Sequence, residues 1–206
     1  MPHTPPSSSV LRSFLERWVG SSITALLIFT IEIVQIVVIA AAIIIPVRYF
    51  VVQPFVVRGA SMEPTFTDRE YLLVDEISYR FHEPIRGDVV VFRYPLDPSE
   101  FFIKRVVGVP GDTVDVRNGK IVVSNAKHPD GAVLDESYLG PAGHTGLDTH
   151  VVLNLDEYFL LGDNRGASLD SRNFGPVKEE FLVGKVWVRG WPLQRFGAFH
   201  PPEYNL

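Results

Sequence analysis

Two patterns of hydrophobic residues divide the chain. From Ile23 to Ile45 almost every residue is apolar, whereas after Pro54 the apolar residues fall in short runs separated by turn residues. A helix over the first segment would be about 34 Å long at 1.5 Å per residue, and the hydrocarbon core of a bilayer is ~30 Å thick. We therefore expect a transmembrane anchor over residues 21–48, preceded by a tail over residues 1–20.

Glu32 and Gln35 interrupt the apolar segment. A carboxylate at the centre of a membrane helix costs roughly 3 kcal/mol, while each Ile, Leu, Val or Phe contributes about 0.3–0.6 kcal/mol in favour of insertion. The apolar residues outweigh this cost, so insertion remains favourable. Because the two polar residues are three positions apart, they share one helix face. Either Glu32 is protonated or snorkels beside its polar neighbour, or the face that it shares with Gln35 is a contact surface for another membrane helix.

A cleaved signal peptide is the alternative interpretation of the apolar segment. Its apolar core is longer than the usual 7–15 residues, and the one Ala-x-Ala sequence, at residues 40–42, lies inside it. We therefore expect an uncleaved anchor. Arg12 and Arg17 precede the segment and Arg48 and Arg58 follow it, so the distribution of positive charge does not decide its orientation.

The rest of the chain has the pattern of a mainly β fold. Short runs rich in β-branched and aromatic residues alternate with turns rich in Gly, Pro and Asn, as in antiparallel sheets. Asn118-Gly119 is a strong hairpin signal between two such runs. The predicted strands are Tyr71–Val74, Asp88–Tyr94, Phe101–Val107, Thr113–Val116, Lys120–Val123, Tyr158–Leu161 and Val183–Val188.

These strands define one antiparallel β-sheet domain over residues 49–199, followed by a C-terminal tail over residues 200–206. Residues 124–150 contain few strand formers and many Gly, Pro, His and Asp residues, so we expect a loop-rich excursion or small subdomain there. A short helix fits residues 178–181.

Composition excludes several classes of function. The chain has 24 acidic and 19 basic residues, a net charge of −5, which argues against a nucleic-acid partner. It has no cysteine, which excludes disulfides and thiolate metal sites. His144 and His150 flank Asp148, but their spacing matches no standard set of metal ligands. We expect surface histidines, and neither a metal nor another cofactor.

Ser61 and Lys104 are the candidate catalytic residues. A serine hydroxyl becomes a good nucleophile when a base removes its proton, and a lysine can serve if its pKa falls from ~10.4 towards 7–8. Burial has that effect because apolar surroundings disfavour the ammonium form. In a strand, Lys104 would share its face with Phe102 and Val106, while Arg105 would point the other way and stay charged and solvated. Taken singly, Ser61 and Lys104 are common turn and surface residues.

Four segments, together with the N-terminal anchor, give these residues a context. The segments are Ser61–Thr65, Arg86–Phe92, Lys104–Asp112 and Gly162–Gly175. With these segments in this order after the anchor, the chain resembles the bacterial type I signal peptidases, which are membrane-bound serine proteases with a lysine base. The likeness covers the anchor and nearly all of residues 50–190. Each segment is weak evidence alone, but the ordered set is highly specific.

The resemblance implies a role for each site residue. Ser61 would be the nucleophile and Lys104 the general base. Ser168 would hydrogen-bond the lysine and orient it, which a hydroxyl can do without adding charge. Asp170 and Arg172 would pair and brace the loop that carries Ser168.

The resemblance also bears on the surroundings of the nucleophile. Met62 would line the substrate side of the site, and Met62 and Phe66 could add to an apolar surface that faces lipid. Some members of the family have a serine two residues before the nucleophile, where it helps to bind the oxyanion, but here that residue is Gly59. We therefore expect the oxyanion to be bound by the backbone N–H of Ser61, with a second donor left open.

By the same resemblance, the chain would cleave N-terminal signal peptides with small residues at the first and third positions before the cut. It would be a single-pass protein of the plasma membrane with a cytoplasmic N-terminus and an extracytoplasmic domain. The lipid bilayer and preproteins would be its partners, and its oligomeric state is left open. Two alternatives remain. Self-cleaving repressors use the same dyad, although they carry a DNA-binding module, and an inactive membrane-anchored β-domain could bind protein partners instead.

Overall fold

The computed structural model describes residues 21–50, 52–143, 145–202 and 204–206, and the chain divides into a unit of residues 1–49 and a unit of residues 50–206. Helix α1 begins at Ser21 and ends at Phe50, so it contains the whole described part of the first unit. Its segment Ile23–Ile45 has a mean hydropathy of 2.7 and is long and apolar enough to span a bilayer. The side chains of Glu32 and Gln35 are exposed on this helix.

The second unit is built from short strands, a four-residue helix α2 (Ser171–Phe174) and several 3₁₀ turns. The strands are β1 Val52–Val56, β2 Tyr71–Asp75, β3 Val89–Tyr94, β4 Asp97–Gly108, β5 Thr113–Arg117, β6 Lys120–Ser124, β7 Ala132–Val133, β8 Thr149–Val152, β9 Glu157–Leu161, β10 Val177–Lys178, β11 Leu182–Trp191 and β12 Gly197–Ala198.

Two antiparallel sheets form the domain, which confirms the predicted fold class. The larger sheet has the order β1-β2-β11-β3-β4-β9-β10, with β12 paired to β11, and the smaller has the order β7-β6-β5-β8. All seven predicted strands are present, and β5 and β6 form the hairpin expected around Asn118-Gly119. Only a 3₁₀ turn, Glu179–Phe181, forms where a short helix was expected.

The larger sheet curls until its first strand approaches β4. Three strands separate β1 from β4 in the sheet order, yet the rings of Phe55 and Phe101 have centroids 5.5 Å apart. Register shifts in β11, between Val186 and Val188 and again between Arg189 and Trp191, interrupt its pairing with β2. Such bulges bend a strand and increase its twist. The curl leaves a gap between β1 and β4.

The smaller sheet contains part of the predicted excursion, because β7 and one end of β8 fall within residues 124–150. One core joins the two sheets: Val107 and Leu161 from the larger sheet pack in the same buried cluster as Val114 from the smaller. The C-terminal segment is packed rather than a loose tail. Tyr204 and Leu206 lie against this shared core.

Candidate active site

Ser61 lies in the loop that joins β1 to β2, which we call the nucleophile loop (residues 57–70). Backbone hydrogen bonds close its base: the N–H of Val57 donates to the carbonyl of Glu70 at 2.9 Å, and the N–H of Arg69 donates to that of Val57 at 2.9 Å. Gly59 has φ +85°, a left-handed conformation that glycine adopts without strain. These features hold the serine at the gap between β1 and β4.

Lys104 lies on β4 and contacts the serine directly. Its Nζ is 2.9 Å from Oγ of Ser61 and also donates to the carbonyl of Ile103 at 2.8 Å. The side chain is only 4% exposed, and Nζ lies 5.5 Å from the centroid of the Phe102 ring. Burial lowers the pKa of Lys104 to about 8, although the negative charges of Asp170 and Asp163 oppose the shift. The geometry thus places the Ser61 hydroxyl within hydrogen-bonding distance of an amine whose charged form is disfavoured.

Ser168 is adjacent to Ser61 but does not form the expected hydrogen bond with Lys104. Its Oγ is buried and has no hydrogen-bond partner. A Cβ added to Gly162 would lie 2.2 Å from this Oγ and 2.5 Å from the carbonyl oxygen of Ser61. Gly162 is therefore the point at which the loop carrying Ser168 approaches the nucleophile loop closely.

Asp170 and Arg172 form the ion pair that the family resemblance implied. The two guanidinium nitrogens Nε and Nη2 of Arg172 each lie 2.8 Å from a carboxylate oxygen of Asp170, which is fully buried. The same carboxylate accepts from the N–H of Gly162 at 3.1 Å and caps α2. Arg172 also donates to the carbonyl of Arg165 at 2.8 Å. The pair thereby connects both ends of the segment that contains Ser168.

Arg105 is buried, so the expectation that it would be solvated is wrong. It is 1% exposed and forms a two-point ion pair with the fully buried Asp163. The hydroxyl of Thr65 donates to the same carboxylate at 2.5 Å. The alternation of β4 does turn Arg105 away from Lys104, but the 3₁₀ segment between β7 and β8 and the C-terminal segment cover that side as well. The Arg105 guanidinium accordingly lies 4.8 Å from the ring centroid of Tyr138.

The expectation that Met62 and Phe66 lie at the surface is also wrong. Both side chains are 0% exposed and belong to the core cluster that contains Leu72 and Val74. They form no lipid-facing surface, and Met62 is not among the residues that line the gap beside Ser61. The turn after Ser61 directs both side chains inward, since the N–H of Phe66 donates to the carbonyl of Met62 at 2.9 Å.

Asn164 fixes the orientation of the peptide that precedes the nucleophile. Its Nδ2 donates to the carbonyl of Ala60 at 3.1 Å, and its backbone N–H donates to that of Ser61 at 3.0 Å. In a trans peptide the C=O and N–H point in opposite directions. Holding the Ala60 carbonyl therefore sets the direction of the Ser61 N–H, the expected oxyanion donor. The sequence predicted no role for Asn164 or Asp163, although both lie within Gly162–Gly175, one of the segments that carry the family resemblance.

A cleft of about 250 Å³ contains the two candidate catalytic groups. Its walls are residues 55–58 and residues 101–104, with Leu72, Val91 and Leu169 between them. β1 is the edge strand of the sheet, and β4 pairs with β9 only from Arg105 onwards. Both walls thus present a strand edge that has no partner strand among the described residues.

The described residues contain no cluster of three potential metal ligands. Nδ1 of His150 lies 2.7 Å from a carboxylate oxygen of Asp115, and the side chain is exposed, so this histidine lies on the surface as expected. His144 falls outside the described residues.

The chain is similar to known proteins. A family model described as signal peptidase, peptidase S26, matches residues 30–191. The chain is 38% identical over 175 residues to a probable signal peptidase I-2 of Synechocystis, covering 81% of this chain and 76% of that protein. It is 34% identical over 176 residues to signal peptidase IB of Staphylococcus aureus, covering 80% and 91% of the two chains. The crystal structure of a signal peptidase I from Enterococcus faecalis is 29% identical, covers 50% of this chain and 97% of that one, and has a TM-score of 0.44.

Proposed function

The chain belongs to the signal peptidase family of serine endopeptidases, and within that family we propose that Ser61 is its nucleophile and Lys104 its general base. The supporting observation is the 2.9 Å contact between Lys104 Nζ and Ser61 Oγ. Burial of the lysine supports the assignment, because a base must be neutral to accept a proton and the low exposure favours that form.

In the proposed reaction, Ser61 Oγ attacks the scissile carbonyl carbon of the substrate while its proton passes to Lys104 Nζ. The tetrahedral intermediate collapses, and the Lys104 ammonium gives its proton to the departing amine. Ser61 is then esterified by the signal peptide. A water molecule attacks this ester, Lys104 accepts the proton of the water, and the returning proton regenerates the serine hydroxyl.

Ser168 is proposed to orient Lys104 once substrate is bound. Its buried Oγ has no partner in the free protein, and it lies against Gly162 beside the nucleophile loop. Catalytic hydrogen bonds are often loose in the free enzyme and tighten in the substrate complex. The Asp170–Arg172 pair supports this role because it holds the segment that carries Ser168.

The oxyanion is proposed to accept a hydrogen bond from the N–H of Ser61, whose direction Asn164 sets through the Ala60 carbonyl. Gly59 offers no side-chain donor. An ideal Cβ on Gly59 meets no atom within 4 Å, but its φ of +85° would strain any other residue. The conformation of residue 59 therefore favours glycine, so the donor proposed in this segment is a backbone N–H group rather than a side chain.

The substrate is proposed to bind as an extended peptide in the cleft, where the two unpaired strand edges can supply backbone hydrogen bonds. In an extended peptide, the first and third residues before the cut point to the same side. Small side chains at those positions would let the peptide lie close to the apolar wall formed by Leu72, Val91 and Ile103. This accounts for the preference that the family resemblance implies.

Helix α1 is proposed to anchor the enzyme in the plasma membrane with its N-terminus in the cytoplasm. At ~3.3 Å per residue the chain from Ile45 to Ser61 reaches at most ~50 Å, which limits the distance between the serine and the end of the apolar segment. The absence of cysteine allows a direct test of topology. A single cysteine in the variant Ser99→Cys should react with a membrane-impermeant thiol reagent added outside intact cells, and one in Ser9→Cys should not.

Preprotein cleavage by Ser61→Ala and Lys104→Ala tests the catalytic assignment. Both variants should lose activity by at least about three orders of magnitude, as removal of a nucleophile or its base does in other serine proteases. Lys178→Ala, which removes a lysine that is 53% exposed, is the matched control and should be fully active. Full activity of either dyad variant would refute the mechanism. Labelling of Ser61 by an acylating inhibitor would exclude the alternative of an inactive binding domain.

A further inference from the structure

A buried carboxylate closes the nucleophile loop at the end away from Ser61. Glu70 is 1% exposed and directly precedes β2. The hydroxyl of Thr67 donates to its Oε1 at 2.9 Å. None of the proposed catalytic steps uses this glutamate. A buried charge must be compensated, so its partners indicate what it does.

Two arginines from the C-terminal part of the domain compensate Glu70. Nε of Arg189, on β11, lies 2.9 Å from Oε2, and Nη1 of Arg195, in a 3₁₀ turn, lies 2.5 Å from Oε1. The side chains of Arg189 and Arg195 are 17% and 38% exposed. Two guanidinium groups thus lie beside one buried carboxylate. Each guanidinium has further N–H groups that can donate to another acceptor.

That acceptor is a carbonyl of the nucleophile loop. Nη2 of Arg189 and Nη2 of Arg195 both donate to the backbone carbonyl of Thr65, the second at 3.2 Å. Arg195 therefore bridges Glu70 and Thr65 by hydrogen bonds from two different nitrogens. Arg189 hydrogen-bonds the Thr65 carbonyl and forms an ion pair with Glu70 in which Nε and Oε2 are not hydrogen-bonded. The Arg189 guanidinium also lies 4.8 Å from the ring centroid of Phe66.

Thr65 is mechanically connected to the serine. It ends the turn that begins at Ser61, and the N–H of the next residue, Phe66, donates to the carbonyl of Met62. The Thr65 hydroxyl donates to Asp163. A displacement of the Thr65 carbonyl would therefore move the turn that presents Ser61 to Lys104.

We infer that Arg189 and Arg195 are positioning residues, which fix the Thr65 carbonyl against Glu70 and thereby hold Ser61 in reach of Lys104. The inference rests on the proposed role of Ser61 as the nucleophile. The two arginines contact neither the cleft nor the reacting atoms, so they act through the loop alone. We call them, with Glu70, the loop clamp.

The clamp requires arginine rather than any cation. A guanidinium presents several donors in a rigid plane, so it can bind a carboxylate and a carbonyl at once, whereas a lysine ammonium is a single point of charge on a flexible stem. Arg195→Lys would keep an ion pair with Glu70 and lose the bridge to Thr65. This substitution separates the positioning role from a contribution to stability alone.

The experiment measures kcat, KM and the melting temperature of the full-length protein in detergent, with a peptide substrate that carries alanine at the first and third positions before the cut. The variants are Arg195→Lys, Arg189→Lys combined with Arg195→Lys, and Arg69→Lys. Arg69 is the matched control, because it lies on the same loop with a side chain that is 90% exposed.

Arg195→Lys should lower kcat about fivefold and the double variant about thirtyfold, in keeping with the steep dependence of rate on small misplacements. KM should stay within about twofold, because the clamp does not line the cleft. The rate of Ser61 acylation by the inhibitor should fall in parallel with kcat. Arg69→Lys should match the unchanged protein.

Wild-type kcat in the double variant would overturn the inference, as would a rise in KM at constant kcat. If the double variant melts below the assay temperature, Arg195→Lys alone decides by the same criteria, since its side chain is partly exposed. Ser61→Ala is assayed alongside. An inactive Ser61→Ala with unchanged clamp variants refutes the clamp only, whereas an active Ser61→Ala refutes the proposed function itself.

Discussion

Arg105 and Asp163 form a buried ion pair one residue along the chain from Lys104. Nε and Nη2 of the arginine lie 2.8 Å and 2.6 Å from the two carboxylate oxygens, and the two side chains are 1% and 0% exposed. The pair links β4 to the segment that follows β9, and Thr65 adds a hydrogen bond from the nucleophile loop. The three segments that carry the proposed active site thus meet at one carboxylate.

Asp163→Ala should therefore destabilise the protein strongly. Removal of one partner from a buried ion pair leaves an uncompensated charge, which costs about 3–5 kcal/mol in the free energy of unfolding. Lys178→Ala breaks a pair with Asp156 in which both side chains are more than half exposed, and it should cost about 0–1 kcal/mol. Chemical denaturation followed by tryptophan fluorescence measures both. Equal losses in the free energy of unfolding would show that the buried pair stabilises the protein no more than the exposed pair does.

The rate of cleavage should rise with pH and level off above an inflection near pH 8. The lysine base must be neutral, and burial lowers the pKa of Lys104 to about 8. Below that pH the ammonium form predominates and the rate falls about tenfold per pH unit. The measurement is kcat/KM from pH 5 to pH 10. An inflection near the ordinary lysine value of ~10.4 would mean that the base is solvated, contrary to its position in the structure.

Lys104→Met should make the protein inactive yet more stable at neutral pH. The folded pKa of about 8 lies below the ordinary lysine pKa of 10.5, so the folded state disfavours the ammonium form. The resulting cost to stability is present in full below pH 8 and disappears above pH 10.5; it is at most roughly 3 kcal/mol. The free energy of unfolding of both proteins at pH 7 and pH 10.5 provides the test. The difference should shrink as pH rises, and a constant difference would contradict the assignment.

Gly162→Ala should impair cleavage severely. Its Cβ would lie 2.2 Å from Ser168 Oγ and 2.5 Å from the Ser61 carbonyl oxygen, so the two loops would have to separate. We expect at least a tenfold loss of kcat, because a misplacement of ~1 Å can cost on the order of 10²-fold. Gly166→Ala is the control, since a Cβ there meets nothing within 4 Å. Comparable kcat values for the two variants would show that this close approach is not needed.

Ser168→Ala should separate function from stability. Because its buried Oγ has no hydrogen-bond partner, its removal should change the free energy of unfolding by less than about 1 kcal/mol. If the hydroxyl orients Lys104 during the reaction, kcat should nevertheless fall by about 10²-fold. Kinetics and denaturation of the same preparation measure both effects. Unchanged kcat would remove Ser168 from the mechanism.

Local patterns predicted much of the architecture. Periodicity and turn residues located all seven predicted strands and the β5–β6 hairpin, because alternation and an Asn-Gly turn depend on neighbouring residues only. The pairing partners of those strands were not predictable in the same way. β11, late in the chain, pairs with both β2 and β3, and nothing in its own sequence specifies such distant neighbours.

Burial was the quantity that sequence reasoning estimated least well. Alternation correctly turned Arg105 away from Lys104, but the prediction of solvent on that side was wrong because Tyr138 and Phe199, from distant segments, cover it. Met62 and Phe66 were assigned to an outer surface, whereas the turn after Ser61 directs them into the core. Whether a given face is covered depends on elements that lie far away in the sequence.

By itself, the sequence determined the apolar helix, the mainly β domain and the two candidate groups Ser61 and Lys104, because periodicity, turn chemistry and short motifs are local properties. Only the tertiary structure decided that the two groups are 2.9 Å apart, that Asp163 and Asn164 fix the serine loop, and that Glu70 meets arginines more than a hundred residues away. The physical reason is the curl of the larger sheet. It converts separations along the chain into contacts, and the burial it creates lowers the pKa of the lysine.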